Sequence, residues 1–296
     1  MYPILFEFGV ITVFSLWFFV TTGFVAGSYV FIGLAKRNRI RLNIISDHSF
    51  FLFFCALIVS RIVFIIFNTD LYFYQFEFKN FLNLFTIWDK GLSFWGAIFG
   101  WILGMLYVAR KWNESPMKLL DTMMPAILLG LVFGDIGALL DGINYGTPTT
   151  LPWGVTFRSA NVKYVTAIHP TQIYGFLYTL LLAGGLYCLY NHLRGRLPGF
   201  ISELALLTFS LFRFLEEFVR GDETIKILGL RVPQMAAFLG VIAGIYLIHT
   251  RYTNKTGGDP ERVLKRFVSR FFSKKQKTLD SEEMAAGTSF LPDQAV

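Results

Sequence analysis

Long apolar runs separated by short polar segments divide this chain of 296 residues. A run of about 20 apolar residues is the length that an α-helix needs to cross a bilayer. Seven runs meet this description, and the first, third and fifth contain no charged residue. They predict an all-α integral membrane protein, a bundle of seven transmembrane helices at residues 8–34, 50–67, 91–109, 119–140, 171–190, 199–219 and 232–249.

The polar segments between these runs alternate in charge. Basic segments follow the first, third, fifth and seventh predicted helices, with the sequences KRNRIR, RKWNESPMK and HLRGR and then the C-terminal tail. Basic loops of multi-pass membrane proteins remain in the cytoplasm. The alternation therefore predicts an external N-terminus and a cytoplasmic C-terminus.

Segments outside the runs suggest a simple domain organisation. Residues 71–90 are rich in Phe and Tyr, which is typical of an external interfacial segment, and residues 141–170 contain the Gly, Pro and Thr clusters of an external loop. We expect a membrane domain at 1–250, a basic amphipathic cytoplasmic segment at 251–278 and a disordered tail at 279–296.

The amino-acid composition is typical of a membrane protein, and the distribution of charge indicates which class of partner the chain binds. Apolar residues make up 54% of the chain, the mean hydropathy is +0.52 and the net charge is +7. Because much of the basic charge lies beside the last apolar run, it favours anionic lipid headgroups over nucleic acid. Cys55 and Cys188 both lie in apolar runs, so we expect free thiols.

The sixth run, which includes SLFRFLEEFVRGDE, carries charges that a membrane helix does not readily tolerate. At about 100° per residue, Arg213, Glu217 and Arg220 form one stripe. A charge in the bilayer costs several kcal/mol unless it is paired or faces water, and a guanidinium matches a phosphate well. The stripe therefore predicts a site for a lipid phosphate or a structural ion pair between helices.

Two other segments place polar groups within or beside the apolar runs. Arg61, alone in the second run, needs an anion such as Asp135, Asp141 or a lipid phosphate. The Gly-rich segment GDIGALLDGINYG, residues 134–146, indicates either a cavity wall or close helix packing.

The fifth run begins with AIHPTQIYGF, where His169, Gln172 and Tyr174 surround a helix start. Helix N-termini attract phosphate groups, although a His-Pro turn is also an ordinary way to begin a helix. Both interpretations stay open from these residues alone.

The motifs WDKGLSFWGAIFG, GDIGALLDGINYG, HPTQIYGFLY, FRFLEEFVRGDE and VPQMAAFLGVIAG resemble those of bacterial prolipoprotein diacylglyceryl transferases, in the same order. The resemblance covers residues 5–250. It implies a monomeric seven-span enzyme of the bacterial inner membrane that uses no metal or cofactor. Such an enzyme moves a diacylglyceryl group from phosphatidylglycerol, or another anionic phospholipid, to the lipobox cysteine of a prolipoprotein signal peptide.

The resemblance, together with the residues discussed above, suggests roles for individual side chains. Arg213, Glu217 and His169 would be catalytic, with Glu217 orienting the arginines that clamp the phosphate. His169, Asp135 or Asp141 would take a proton from the acceptor. The expected substrate-binding residues are Arg220, Arg61, Asp135, Asp141, Gln172 and Tyr174.

Several positions depart from the family pattern. In its signature Gly-Arg-x-Gly-Asn-Phe-x-Asn-x-Glu, the Arg, the two Asn and the Glu are replaced by Asp135, Ala138, Asp141 and Ile143. Trp95 replaces a His, and Gly175 replaces a Glu. Asp135 reverses the local charge, which should weaken phosphatidylglycerol binding there.

These departures leave two alternative functions. One is a paralogue that binds phospholipid or lipoprotein without catalysis, and the other is a transferase with another acceptor. A small transporter is a third, disfavoured by the lack of repeats.

Overall fold

The computed structural model describes residues 2–8, 11–41, 43, 47–69, 92–157, 162–193, 197–227 and 229–254. Seven α-helices occur in this part of the chain: α1 (Ser15–Arg37), α2 (Ser49–Phe67), α3 (Phe94–Lys111), α4 (Pro116–Asp141), α5 (Thr171–Leu193), α6 (Phe200–Glu216) and α7 (Val232–Asn254). Two short antiparallel hairpins accompany them: β1 (Ile4–Phe8) with β2 (Ile11–Phe14), and β3 (Lys226–Ile227) with β4 (Leu230–Arg231).

Five of the described helices are long and apolar enough to cross a membrane: α1, α2, α4, α5 and residues Val232–Arg251 of α7. Helix α3 is outside this group and ends in Arg110 and Lys111. Helix α6 is also outside it, because it has only 17 residues and includes Glu203, Arg213 and Glu216. The chain is therefore a helical, multi-pass membrane protein.

One predicted boundary was wrong. The first apolar run was expected to be helical from residue 8, but Ile11–Phe14 form strand β2 and helix α1 begins at Ser15. The sequence Ile-Thr-Val-Phe consists of β-branched and aromatic residues, which favour a strand when a partner strand is available. The predicted interfacial segment at 71–90 and nearly all of the predicted tail segments lie outside the described residues.

The helices pack in pairs, α1 and α5 against α4, α2 against α3, and α6 against α7. Glycines allow two of these contacts. A Cβ atom at Gly27 of α1 would lie 2.7 Å from the carbonyl oxygen of Ala126 on α4, and one at Gly96 of α3 would lie 2.8 Å from the Cα of Ser60 on α2. Close packing of this kind holds helices together where lipid removes the hydrophobic driving force.

Buried polar contacts fix the N-terminal end of α6. Asp121 of α4 accepts hydrogen bonds from the Gly199 N–H at 2.6 Å, the Ser202 N–H at 2.8 Å and the Ser202 hydroxyl at 2.9 Å. Free N–H groups at a helix start need such an acceptor, which is here a carboxylate from a neighbouring helix. Arg251 of α7 donates to both oxygens of Glu203, at 2.5 and 2.6 Å. These contacts join α4, α6 and α7.

The loop after α4 fixes the other end of α6. The Gly146 N–H donates to the His169 carbonyl at 3.1 Å, and the Thr147 N–H donates to the Val219 carbonyl at 2.8 Å. The Gly221 N–H in turn donates to the Tyr145 carbonyl at 2.9 Å. The loop therefore lies between the segment before α5 and the segment after α6, hydrogen-bonded to both, like the middle strand of a three-stranded sheet. Gly146 is required because a Cβ there would collide with His169.

Candidate functional site

Ion pairs cluster around Glu217 at the C-terminal end of α6. Its Oε1 lies 3.1 Å from Nη2 of Arg213 and 3.5 Å from Nη1 of Arg220, and its Oε2 accepts a hydrogen bond of 2.7 Å from Nε of Arg231. The Glu217 side chain is 0% exposed. One buried carboxylate thus compensates part of the positive charge of three guanidinium groups. We call these four residues and their direct hydrogen-bond partners the arginine cluster.

Each arginine of the cluster also has a second carboxylate. Nη1 of Arg213 donates to both oxygens of Glu216 at 3.1 Å, and the Tyr178 hydroxyl donates to Glu216 at 2.8 Å. Arg220 donates through Nε and Nη2 to the two oxygens of Asp222, both at 2.8 Å. Arg231 donates to Asp222 at 2.9 Å. The cluster is therefore a connected network of charge-assisted hydrogen bonds.

Asn144 links the arginine cluster to the start of α5. It lies in the loop after α4 with a φ of 59°, a left-handed conformation that Asn tolerates better than most residues. Its Oδ1 accepts a hydrogen bond from Arg220 at 2.7 Å, and its carbonyl accepts one from the Thr171 hydroxyl at 2.5 Å. Gln172 donates to the adjacent Ile143 carbonyl at 2.8 Å.

Asp222 lies beyond the end of α6, between two guanidinium groups. Burial opposes its ionisation, but the hydrogen bond from Arg220 and the charges of Arg220 and Arg231 outweigh this effect and lower the pKa of the carboxyl. The group therefore stays ionised over a wide pH range and holds both arginines in place.

Asp135 approaches the cluster from α4. Its two carboxylate oxygens lie 3.0 Å from the position that a Cβ of Gly175 would take on α5. Its charge interacts with those of Glu216, Arg213 and Arg220, but no hydrogen bond from a described residue reaches it. The structure thus places beside the cluster a carboxylate that receives no hydrogen bond from a described residue.

Of the residues singled out from the sequence, Arg213, Glu217 and Arg220 are brought together as the predicted stripe. His169 and Tyr174 form a separate pair, with 3.3 Å between the His Nδ1 and the Tyr hydroxyl, which also accepts a hydrogen bond of 2.8 Å from Trp153. Because the His169 and Arg220 backbones flank the Gly146 strand, they lie about two strand spacings apart, roughly 10 Å.

The remaining predicted residues lie elsewhere. Arg61 is buried on α2, with its guanidinium 5.9 Å from the Phe64 ring centre, and none of the ion pairs described for the arginine cluster includes it. Asp141 is the last residue of α4 and precedes Gly142, whose φ is 80°. Within the described residues, no group of three or more His, Cys, Asp or Glu side chains could hold a metal ion.

More than half of the arginine cluster and its contacts was not predicted from the sequence. Glu216, Asp222, Arg231, Tyr178 and Asn144 had not been proposed as site residues. Glu216 and Asp222 are sequence neighbours of Glu217 and Arg220, so their proximity was a usable signal. Arg231 and Asn144 lie 14 and 76 residues from the groups they bind, and no local pattern connects them.

Comparison with known proteins gives a consistent result. The family model for prolipoprotein diacylglyceryl transferase matches residues 3–250. A phosphatidylglycerol–prolipoprotein diacylglyceryl transferase of Finegoldia magna is 32% identical over 77% of this chain and 87% of its own length. Proteins with the same name from Clostridium tetani and Gloeobacter violaceus are 29% and 27% identical, over 84% and 76% of this chain and 97% and 83% of their own lengths. The chain therefore belongs to the prolipoprotein diacylglyceryl transferase family.

Proposed function

We propose that this protein transfers a diacylglyceryl group from phosphatidylglycerol to the thiol of a prolipoprotein cysteine. Family membership and the names of its relatives support the reaction. The structural observation that supports the proposal for this chain is the arginine cluster. It is buried at the end of helix α6, which packs among membrane-spanning helices. Buried arginines in such a place are expensive unless they serve a substrate or a partner.

The phosphate site is centred on Arg220. Its side chain is 4% exposed, and Nη1 donates no hydrogen bond to any described residue although Nε and Nη2 do. This nitrogen has a remaining donor for a phosphate oxygen. Glu217 and Asp222 hold the guanidinium in orientation, so that little order is lost when a headgroup binds.

The transfer step needs a base for the acceptor. The cysteine sulfur attacks the glycerol carbon that bears the phosphate, an S–C bond forms as the C–O bond breaks, and glycerol phosphate leaves with the electron pair. The thiol proton goes to a base, for which we propose His169, whose ring lies beside the Tyr174 hydroxyl. Gln172 and Tyr174 belong to the binding wall. Arg61 and Asp141 are proposed as more distant contacts to substrate.

A seven-span topology completes the proposal. Helices α3 and α6 would be spans, because each packs along a neighbour that is itself long enough to cross a membrane. The N-terminus would then be external and the C-terminus cytoplasmic, in the inner membrane, with the protein acting as a monomer. The arginine cluster would lie near the external surface, where the acceptor signal peptide arrives.

The test is a reconstitution. Purified protein in vesicles with isotope-labelled phosphatidylglycerol is mixed with a lipobox peptide, and the thioether product is measured by mass spectrometry. We expect the product to form, and to fall by at least about tenfold in Arg220→Gln, which loses one charge-assisted phosphate contact. No product with the native chain would contradict the proposal.

A second candidate function has its own support. Both terminal nitrogens of Arg213 lie against Glu216 and Glu217, and Asp135 adds a further carboxylate beside the cluster. This arrangement favours a paralogue that binds phospholipid without turnover. It predicts phospholipid retained on the purified chain together with no thioether product in the same reconstitution.

A further inference from the structure

Two buried atoms of opposite charge in the arginine cluster face each other without a hydrogen bond. Oε1 of Glu217 and Nη1 of Arg220 lie 3.5 Å apart, about 0.6 Å farther than the atoms of a charge-assisted hydrogen bond. Neither atom has a hydrogen-bond partner in the part of the chain that the structure describes. Because a buried donor and a buried acceptor are costly when unpaired, other contacts must hold these two atoms apart.

Arg231 engages the other oxygen of Glu217. Its Nε donates a hydrogen bond of 2.7 Å to Oε2 of Glu217. The same guanidinium donates from Nη2 to the carboxylate of Asp222 and from Nη1 to the carbonyl of Asp222, both at 2.9 Å. These contacts fix the plane of the Arg231 guanidinium. They also restrain the rotation of the Glu217 carboxylate that a closer contact with Arg220 requires.

Arg220 is restrained from its other side. Its Nε and Nη2 each donate to Asp222 at 2.8 Å, and Nη2 also donates to Asn144 at 2.7 Å. Asp222 is thus shared by Arg220 and Arg231 and links the two guanidinium groups. The carboxylate of Glu217 and the guanidinium of Arg220 therefore have separate anchors, and Nη1 is the nitrogen of Arg220 that remains unbonded.

A short hairpin returns Arg231 to the end of α6. Lys226 of β3 pairs with Arg231 of β4, and Gly229 in the connection has a φ of 81°, which glycine adopts without strain. Helix α7 begins at the next residue, Val232. Arg231 is therefore held between a hairpin and a helix start, from which it reaches Glu217, 14 residues earlier in the chain.

We propose that Arg231 is a positioning residue, which engages Glu217 so that Nη1 of Arg220 stays available to the phosphate of phosphatidylglycerol. Without Arg231, Oε2 of Glu217 loses its partner, and the carboxylate can turn to bind Nη1 of Arg220. The phosphate must then displace a buried charge-assisted hydrogen bond before it can bind. This inference rests on the proposed function and deepens its phosphate site. Arg231 itself contacts neither the lipid nor the thiol.

Lipid affinity tests this role without requiring turnover. The apparent dissociation constant is the intrinsic constant divided by the fraction of protein in which Nη1 is free. Arg231→Gln should therefore raise the apparent Kd for phosphatidylglycerol by about tenfold, the effect of one charge-assisted hydrogen bond. Phosphatidylglycerol is titrated into neutral detergent micelles that contain the intact protein, and the bound lipid is measured by native mass spectrometry.

A second substitution separates positioning from a purely structural role. A Gln at position 217 presents a neutral carbonyl, which holds a guanidinium less strongly than a carboxylate does. The double variant Arg231→Gln with Glu217→Gln removes one charge of each sign and should recover most of the lost affinity. If Arg231 only supported the fold, the double variant would bind no better than Arg231→Gln, and its thermal midpoint would be at least as low.

Lys226→Gln supplies the matched control. It removes one positive charge from the same hairpin, where the Lys226 side chain is exposed, and should leave the Kd unchanged. An equal loss of affinity in Lys226→Gln would show an effect of overall charge and overturn the inference. Arg231→Lys keeps the charge but cannot bind Glu217 and Asp222 in the same way, so we expect a smaller loss. If Arg231→Gln does not fold, Arg231→Lys takes its place in the same comparisons.

The outcomes distinguish this inference from the proposed function. An unchanged Kd in Arg231→Gln, or a double variant that binds no better than the single one, overturns the positioning role. In the peptide reconstitution, Arg231→Gln should raise the KM for phosphatidylglycerol and leave kcat nearly unchanged, because the bound complex has the same contacts. A fall in kcat at unchanged KM overturns the inference and keeps the transferase function. The absence of product from the native chain contradicts the transferase function alone, and the titration still decides the role of Arg231.

Discussion

Replacing Glu217 by Gln is the sharpest test of whether the arginine cluster is one energetic unit. The substitution keeps the size of the side chain and removes its charge. A Gln carbonyl can still accept the 2.7 Å hydrogen bond from Arg231. Its amide N–H groups would then point at Arg213 and Arg220, which are themselves donors. The change therefore removes a charge and creates a donor–donor conflict in a buried place.

The magnitude follows from burial. Removing one partner from a buried ion pair costs about 3–5 kcal/mol, because the remaining charge loses its compensation. Glu216 and Asp222 still contact the arginines, so we expect the lower half of this range. The free energy of unfolding is measured by SDS titration in mixed micelles, with the thermal midpoint in detergent as a second readout.

Glu223→Gln supplies the matched control. Glu223 lies six residues further along and pairs with Lys163 at 3.2 Å, but its side chain is 83% exposed. Exposed pairs of this kind have little effect on stability, so no measurable change is expected. If Glu217→Gln shifts the unfolding free energy by no more than Glu223→Gln does, the reasoning about the cluster is refuted.

Four other predictions concern the supports of the site and the topology. Asp121→Ala should lower the unfolding free energy by about 2–4 kcal/mol, because two buried N–H groups and a hydroxyl lose their acceptor. A change below about 0.5 kcal/mol in the SDS titration would contradict this expectation. The lowered pKa of Asp222 means that its contribution is present above the ordinary value of 3.8 and is lost as the pH falls from there through the lowered pKa. Asp222→Asn should therefore flatten the acid side of the stability profile, and an unchanged profile counts against the Arg220 and Arg231 contacts. Gly221→Ala would place a methyl 2.5 Å from the Gly146 carbonyl and should reduce both thermal midpoint and product formation, whereas Gly184→Ala should reduce neither. Reporter fusions after Arg41 and Lys277 should be cytoplasmic and one near Thr150 external; a cytoplasmic Thr150 overturns the seven-span topology.

The sequence alone determined where the helices lie. The apolar runs predicted at 50–67 and 171–190 correspond to α2 at Ser49–Phe67 and α5 at Thr171–Leu193. This succeeded because a segment in lipid must satisfy its own backbone hydrogen bonds, which makes helix formation a local property of an apolar run. It failed at Ile11–Phe14, where pairing with Ile4–Phe8 produced a hairpin. Strand formation depends on a partner, which local composition does not reveal.

Sequence also identified the stripe of Arg213, Glu217 and Arg220, because the helical period places these residues on one face. Only the tertiary structure determines which residues of other segments contact this stripe. Arg231, Asn144 and the Asp135–Gly175 contact come from other segments. Their positions depend on how each helix is rotated about its axis and on how closely glycines let backbones approach. Those quantities are set by packing over the whole bundle, so the charge balance of the site emerges only when the helices are assembled.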